Sequence, residues 1–405
     1  MLAVTPNAFG EALLGVQIAT ELLARGDEVV WLAPAKLRPI TDGTKIRFGA
    51  IDDGVGQLDR VLASVVSEQR CASVLLLDAA SVIQGFAILK LDPGILERLT
   101  APVIALDIWN LDESGVVWDF AGDRRAMDPR VLGLPRIVPV PFARPTAPHG
   151  YNAVPELMPP TPTERAEARA QLGLAPDDRM ILWPSASWQL PRHQPARTAR
   201  LLADAVPDLV VQYIAALGPR VRVVHVGPEP MRAGAALGAR YRWLPQVPAA
   251  KFATLLGAAD LALGLNVAAT TIASAIALET PALVAVNARG EGSSEAVTAA
   301  RGAPLGPLAR AWVERMPGLY RFAVWPAGLY DVLAPVLRDN PFATAVRTVE
   351  LLDEDGFVAA LRALLFDDAA AAAARSEQRR YRAAVESLPS GAERFSTLLA
   401  EQPRR

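Results

Sequence analysis

The feature that most restricts the fold is an alternation running almost from end to end. Short apolar runs of strand length take turns with longer stretches of helical periodicity. "MLAV" precedes "GEALLGVQIATELLARG". "EVVWLAP", "KIRFGAI", the helical "GQLDRVLASVVSEQ", "SVLLLDAA", "PVIALDIW" and "RIVPVPF" follow. Several of these strands are apolar on both faces, as parallel strands covered by helices must be. The expectation is a doubly wound α/β domain over residues 1–145. From Pro145 to Pro162 the chain is rich in proline, then turns helical, so 146–175 reads as a linker with a short helix. The pattern restarts at "RMILWPSA" and continues through "VRVVHVGP", "YRWLP", "DLALGLN" and "PALVAVN". That gives a second doubly wound domain over 176–385, and 386–405 reads as a tail. A chain of 405 residues suits about two domains. In open α/β sheets ligands bind beyond the carboxyl ends of the strands. Two Rossmann-like domains facing a cleft would therefore take one ligand each.

Composition removes several classes. The net charge of -2 leaves no nucleic-acid footprint. The single cysteine, Cys71, excludes an intrachain disulfide and a cysteine zinc cluster. No His and carboxylate cluster suggests a metal, and no cofactor is expected. The start has no basic region ahead of an apolar one, and no apolar run reaches the roughly 18–20 residues a membrane span needs. The cytoplasm is the expected location, and the abundance of Ala, Arg and Pro suggests a GC-rich bacterial source. No Gly-x-Gly-x-x-Gly follows the first strand and no Gly-Lys-Ser/Thr appears, which argues against dinucleotide and P-loop enzymes. "DED" at 353–355 precedes a helical run and reads as helix-start charge.

One short stretch carries more information. Trp243-Leu244-Pro245-Gln246 ends a strand, and a helix, the strand "DLALGL" and "NVAATTIASAIALETPALVAVN" follow. This segment resembles the nucleotide-sugar signature of GT-B glycosyltransferases, nearest to the UDP-glycosyltransferase type and more loosely to the bacterial cell-wall N-acetylglucosaminyltransferase. The resemblance covers about 45 residues well and extends loosely over the two-domain pattern. It implies that Trp243 stacks on a base and that Gln246 reaches the ribose. It also implies that a diphosphate sits at the next helix N-terminus, where unpaired N–H groups and the dipole favour it. Thr270 and Thr271 are placed to cap that helix and to add hydroxyl donors.

The signature is degenerate. Asn266 stands where the family has His, Ser274 where it has the ribose-binding Glu, and Glu279 where it has Gly. The two sugar-reading positions fall near Gly290 and Glu291, of which Glu291 can bind hydroxyls. In "WPSASWQLPRHQ" the family's diphosphate loop implies Ser185 and Ser187, with Trp188, Gln189 and His193 close by. His225 lies within a strand and reads as structural, while Gly227 and Glu229 end that strand and reach the site.

The family's catalytic His belongs in the loop "TPNAFGEALLG", yet the first histidine of this chain is His149. A carboxylate can take the acceptor proton instead. Glu11 is the first candidate, with Asp78 and Asp107 at strand carboxyl ends as alternates, and Asn7, Phe9, Trp109 and Asn110 as acceptor-pocket residues. The aromatic-rich stretch from Pro317 to Phe342 reads as core.

The resemblance thus implies a metal-independent, inverting glycosyltransferase using a UDP- or dTDP-sugar as co-substrate. For its acceptor the composition, rather than the resemblance, suggests a small molecule or peptide in bacterial natural-product biosynthesis. Its partners would be donor and acceptor, with a homodimer as the remaining candidate. The alternatives are a degenerate GT-B protein that activates a partner enzyme and a nucleotide-sugar 2-epimerase.

Overall fold

The computed structural model describes residues 2–4, 9–51, 58–78, 82, 92, 94–111, 117–120, 123–126, 129–193, 197–267, 269–286, 298, 302–316 and 335–402. The chain divides into two compact units. Unit 1 holds residues 1–116, 126–155 and 384–405, and unit 2 holds 117–125 and 156–383.

Unit 1 begins with β1 (Leu2–Val4), α1 (Phe9–Ala24), β2 (Val30–Ala33) and β3 (Arg47–Ala50). It continues with α2 (Leu58–Glu68), β4 (Val74–Leu77) and β5 (Val103–Leu106). The chain then forms the two-stranded pair β6 (Val117–Phe120) and β7 (Asp123–Ala126), of which residues 117–125 belong to unit 2, and unit 1 resumes with β8 (Arg136–Val140) and β9 (Gly150–Asn152). The main sheet has the order β3-β2-β1-β4-β5-β8-β9 and is parallel throughout. Strands β4 and β5 are buried at every residue, as their continuous VLLL and VIAL runs require. Helix α1 lies close on the sheet because Gly15 has no side chain: a Cβ there would stand 2.2 Å from a Leu77 methyl.

Unit 2 opens with α3 (Pro162–Gln171), β10 (Arg179–Pro184), α4 (Arg197–Ala215), β11 (Val221–Val226) and β12 (Tyr241–Leu244). Then come α5 (Ala249–Ala258), β13 (Leu261–Gly264), α6 (Thr270–Ala277), β14 (Ala282–Val286) and α7 (Pro307–Arg315). The unit closes with β15 (Arg347–Glu350), α8 (Glu354–Phe366) and α9 (Asp368–Val385). Its parallel sheet runs β12-β11-β10-β13-β14-β15. One face of that sheet, with Ile181, Trp183, Val223, Leu261 and Leu283, packs on α4, α7 and α8 through Leu209, Tyr213, Trp312 and Phe357. Asp353 caps α8 by accepting from the Gly356 amide, so the first residue of "DED" does belong to a helix start.

Both units share one winding. Each first strand sits mid-sheet, two strands extend one way, and the rest extend the other, which is the Rossmann order. The order reverses between β1 and β4 in unit 1 and between β10 and β13 in unit 2.

Two expected segments differ. The helix placed in the linker is part of unit 2. Arg165 and Arg169 of α3 hold Asp260 at 2.7 and 3.0 Å, and Arg165 also donates to the carbonyls of Gly257 and Ala259. The expected tail, 386–405, instead holds α10 (Gly391–Glu401), which packs on α1, β5, β8 and β9 of unit 1. A Ser390/Glu393 capping box starts α10, and Ala392, Phe395 and Leu398 bury its inner face.

Candidate functional site

In unit 2 the sequence candidates collect at the carboxyl ends of the strands, around the point where the strand order reverses. Ser185 directly follows β10, and its amide donates to the Val226 carbonyl. Asn266 follows β13, and α6 begins at Thr270. Trp243 lies near the end of β12. It is 36 % exposed, whereas Trp31, Trp183 and Trp312 are at most 1 % exposed, so it is not a core tryptophan. Its indole N–H donates to the Gly227 carbonyl at 3.0 Å, which fixes the ring plane. Pro245 and Gln246 follow, both exposed.

The register explains a group that the sequence reading treated as framework. His225 pairs with Trp183 on one side and Trp243 on the other, and Val223 pairs with Tyr241. Alternation therefore places His225, Trp243, Tyr241 and Ser185 on one face. His225 is fully buried. Its Nε2 lies 2.7 Å from Ser185 Oγ, its Nδ1 lies 2.8 Å from the Tyr241 hydroxyl, and that hydroxyl accepts from the Met231 amide at 2.8 Å. Burial pushes the imidazole down to about 4, so the ring is neutral near pH 7. Gly227 makes room for this line: a Cβ there would fall 2.3 Å from Ser185 Oγ and 2.7 Å from His225 Nε2.

Other predicted residues have different roles. Thr270 and Thr271 are not caps. The cap position is Ala269, without a side-chain bond, and both threonines lie inside the first turn. The Ser274 hydroxyl donates to the Thr270 carbonyl at 3.3 Å. Gln189 is buried and accepts from the Ala186 amide, holding the short turn that carries Ser187. Glu229 pairs with Arg192. Glu279 adopts φ +53. It is the left-handed residue closing α6, with Glu279 N donating to the Ile276 carbonyl and Thr280 N to the Ala275 carbonyl. Glycine would adopt this conformation without strain. Arg379 and Arg382 hold the Glu279 carboxylate at 2.6 and 3.6 Å. Glu291, Gly290 and Asn7 lie outside the described residues, as do the side chains of Trp188, His193 and Phe9.

In unit 1 the carboxyl ends of β4 and β5 and the first turn of α1 carry the acidic candidates. Asp78 is buried and has φ +61, a conformation that side chains seldom adopt and that clusters at functional sites. Burial, and then the charge of Asp78, push Glu11 up to about 8 from an ordinary 4.5, although some of the residue remains exposed. Asp107 is held differently. Its two oxygens accept from the amides of Trp109 and Leu111, and Arg136 stands 3.5 Å away. These bonds shape the turn after β5 and hold both carboxylate oxygens in place. Asn110, on that turn, is buried at φ +47, and its side-chain nitrogen has no partner among the described residues. Among the described residues, no cluster of three or more His, Cys, Asp or Glu could hold a metal, and no helix is long and apolar enough to cross a membrane.

The family of unknown function DUF6365 matches residues 18–402. The chain belongs to this DUF6365 family. No curated protein matches the sequence. Solved structures similar to this DUF6365 protein include glycosyltransferases. The spinosyn forosaminyltransferase SpnP matches with a TM-score of 0.53 at 16% identity, covering 98% of each chain. WaaG, a glycosyltransferase involved in lipopolysaccharide biosynthesis, matches with a TM-score of 0.52 at 14% identity, again over 98% of each chain. The glycotransferase of kitacinnamycin gives 0.51 at 15% identity, over 99% of this chain and 98% of that one. The DUF6365 chain thus has the GT-B glycosyltransferase fold, with two Rossmann-like domains.

Proposed function

We propose that this protein is a glycosyltransferase that moves a sugar from a nucleotide diphosphate donor to a small-molecule or peptide acceptor. The observation that carries the reading is Trp243: a part-exposed indole, bonded to the Gly227 carbonyl, at the carboxyl end of the edge strand of a sheet in which Ser185 follows β10 and α6 follows β13. A base stacks on such a face, and the diphosphate meets the Ser185 hydroxyl and the first amides of α6. Asn266, Thr270 and Thr271 add polar contacts along the same path. UDP and dTDP are the expected nucleotides.

The acceptor belongs to unit 1. Its hydroxyl proton passes to the Glu11 carboxylate as the oxygen attacks the anomeric carbon. The bond from that carbon to the diphosphate oxygen breaks, and the electron pair leaves with the diphosphate, stabilised by the α6 amides. Attack opposite the leaving group inverts the anomeric centre. The high proton affinity of Glu11 supports this role, because a carboxylate ionising near 8 is a stronger base than an ordinary one. Asp78 is the group that tunes it, and the turn after β5 that carries Asn110 is assigned to the acceptor side. A soluble, bacterial enzyme of natural-product biosynthesis fits this chemistry.

The test is a thermal-shift screen against UDP, dTDP and GDP, with and without Trp243→Ala. A ligand that binds only the folded state raises the melting temperature. A shift with one diphosphate that disappears in the variant supports the reading, and no shift with any of the three refutes it. One observation favours a second reading, a partner-activating GT-B protein. Ser274, at the ribose-binding position, spends its hydroxyl on its own helix. Transfer seen only in a complex with another enzyme would select that reading.

A further inference from the structure

The line from Met231 to Ser185 has a direction, and the direction decides what Ser185 offers to a ligand. A backbone amide can only donate, so Met231 N–H gives its proton to the Tyr241 oxygen. The Tyr241 hydroxyl then has one proton of its own, and the acceptor within reach is His225 Nδ1 at 2.8 Å. A neutral imidazole that accepts at Nδ1 carries its proton on Nε2. Nε2–H therefore donates to Ser185 Oγ at 2.7 Å. With its oxygen already accepting from His225, the Ser185 hydroxyl keeps its own proton for a group outside the line. Gly227 keeps the approach to Ser185 open.

We infer that His225 and Tyr241 are positioning residues. They fix the Ser185 hydroxyl as a hydrogen-bond donor aimed at an anionic phosphate ligand beyond β10. The inference rests on the donor-site reading above and deepens it, because it selects diphosphate over uncharged nucleoside as the group read at this strand end. Tyr241 touches no ligand in this scheme. It acts by setting which imidazole nitrogen carries the proton. Without the Tyr241 hydroxyl, Nδ1 can take that proton, Nε2 becomes an acceptor, and the Ser185 proton turns toward His225 and away from the ligand.

The experiment is calorimetric titration of the full chain with UDP, dTDP, uridine, thymidine and inorganic pyrophosphate. The proteins are the native chain, Ser185→Ala, Tyr241→Phe, and the double variant. A hydrogen bond to a charged phosphate is typically worth about tenfold or more in affinity. We expect Ser185→Ala and Tyr241→Phe each to weaken the tightest-binding diphosphate by about tenfold. The double variant should lose no more than either single one, because both remove the same bond. Nucleoside binding should stay unchanged. Full affinity in Tyr241→Phe beside a loss in Ser185→Ala overturns the relay and leaves the donor-site reading intact, as does a fully additive double variant. No binding of either nucleotide by the native chain overturns both. If Tyr241→Phe fails to fold, nitrogen-15 spectra of the three histidines in the native protein decide. A proton on Nε2 of His225 is the expected result, and a proton on Nδ1 overturns the inference.

Discussion

Glu11 sits where an ionised carboxylate is unwelcome, and this makes stability depend on pH in a definite direction. The carboxyl ionises at about 8 in the fold and at 4.5 ordinarily, with burial as the larger cause and the Asp78 charge as the smaller. Between those values the folded chain holds a proton that the unfolded chain has released. Stability therefore falls as pH rises through this window, and the full penalty stands above pH 8. At about 1.4 kcal/mol per tenfold in proton affinity, the upper bound is near 5 kcal/mol. Water reaches part of Glu11, so about 2–3 kcal/mol is the expected size. Glu11→Gln keeps the shape and removes the charge. Its melting temperature should match the native chain at pH 4 and exceed it by roughly 5–10 °C at pH 8.5, at about 2–4 °C per kcal/mol for a unit of this size. Asp78→Asn should shrink that gap by removing the repulsion. Melting curves of the three proteins from pH 4 to 9 test this. A gap that stays constant with pH would refute the argument, since a burial or packing effect of the substitution has no reason to follow proton release.

Other expectations follow from the same geometry. If Glu11 is the base, turnover should climb with pH and level off above about 8, and Asp78→Asn should move the inflection downward; an unmoved pH profile would remove Asp78 from that role. Glu279→Ala keeps the left-handed backbone and loses two arginine partners, so it should cost about 1 kcal/mol, whereas Glu279→Gly relieves the backbone and should fall within about 0.5 kcal/mol of the native chain in urea unfolding. Asp260→Ala strands two partly buried guanidinium groups and the Met180 amide, and should cost about 3 kcal/mol in the same assay. Phe395→Ala empties the buried face of α10, and should lower stability by about 3–5 kcal/mol, which a surface tail would not do.

The doubly wound α/β class was legible because central strands such as β4, β5 and β13 are apolar runs buried at every residue, with helical patterns between successive runs. Trp243 was legible for a different reason: Trp, Pro and Gln at one strand end form a local pattern, and the structure places the indole part-exposed at that end. Helix α10 was also written locally, in Ser390-x-x-Glu393 ahead of Phe395 and Leu398, but its terminal position favours the reading of a loose tail. The role of Asp107 lies in amides two and four residues ahead of it, so the acid looks the same in sequence whether it faces a ligand or its own turn. The relay is the hardest case. Ser185, His225 and Tyr241 are 40 and 16 residues apart, and none belongs to a motif with the others. What joins them is register. Pairing Val223 with Tyr241 and His225 with Trp243 places the hydroxyl beside the ring, and a slip of one residue would send Tyr241 to the opposite face. The chemistry of this strand end is therefore set by the pairing of β10, β11 and β12, which no single stretch of the chain contains.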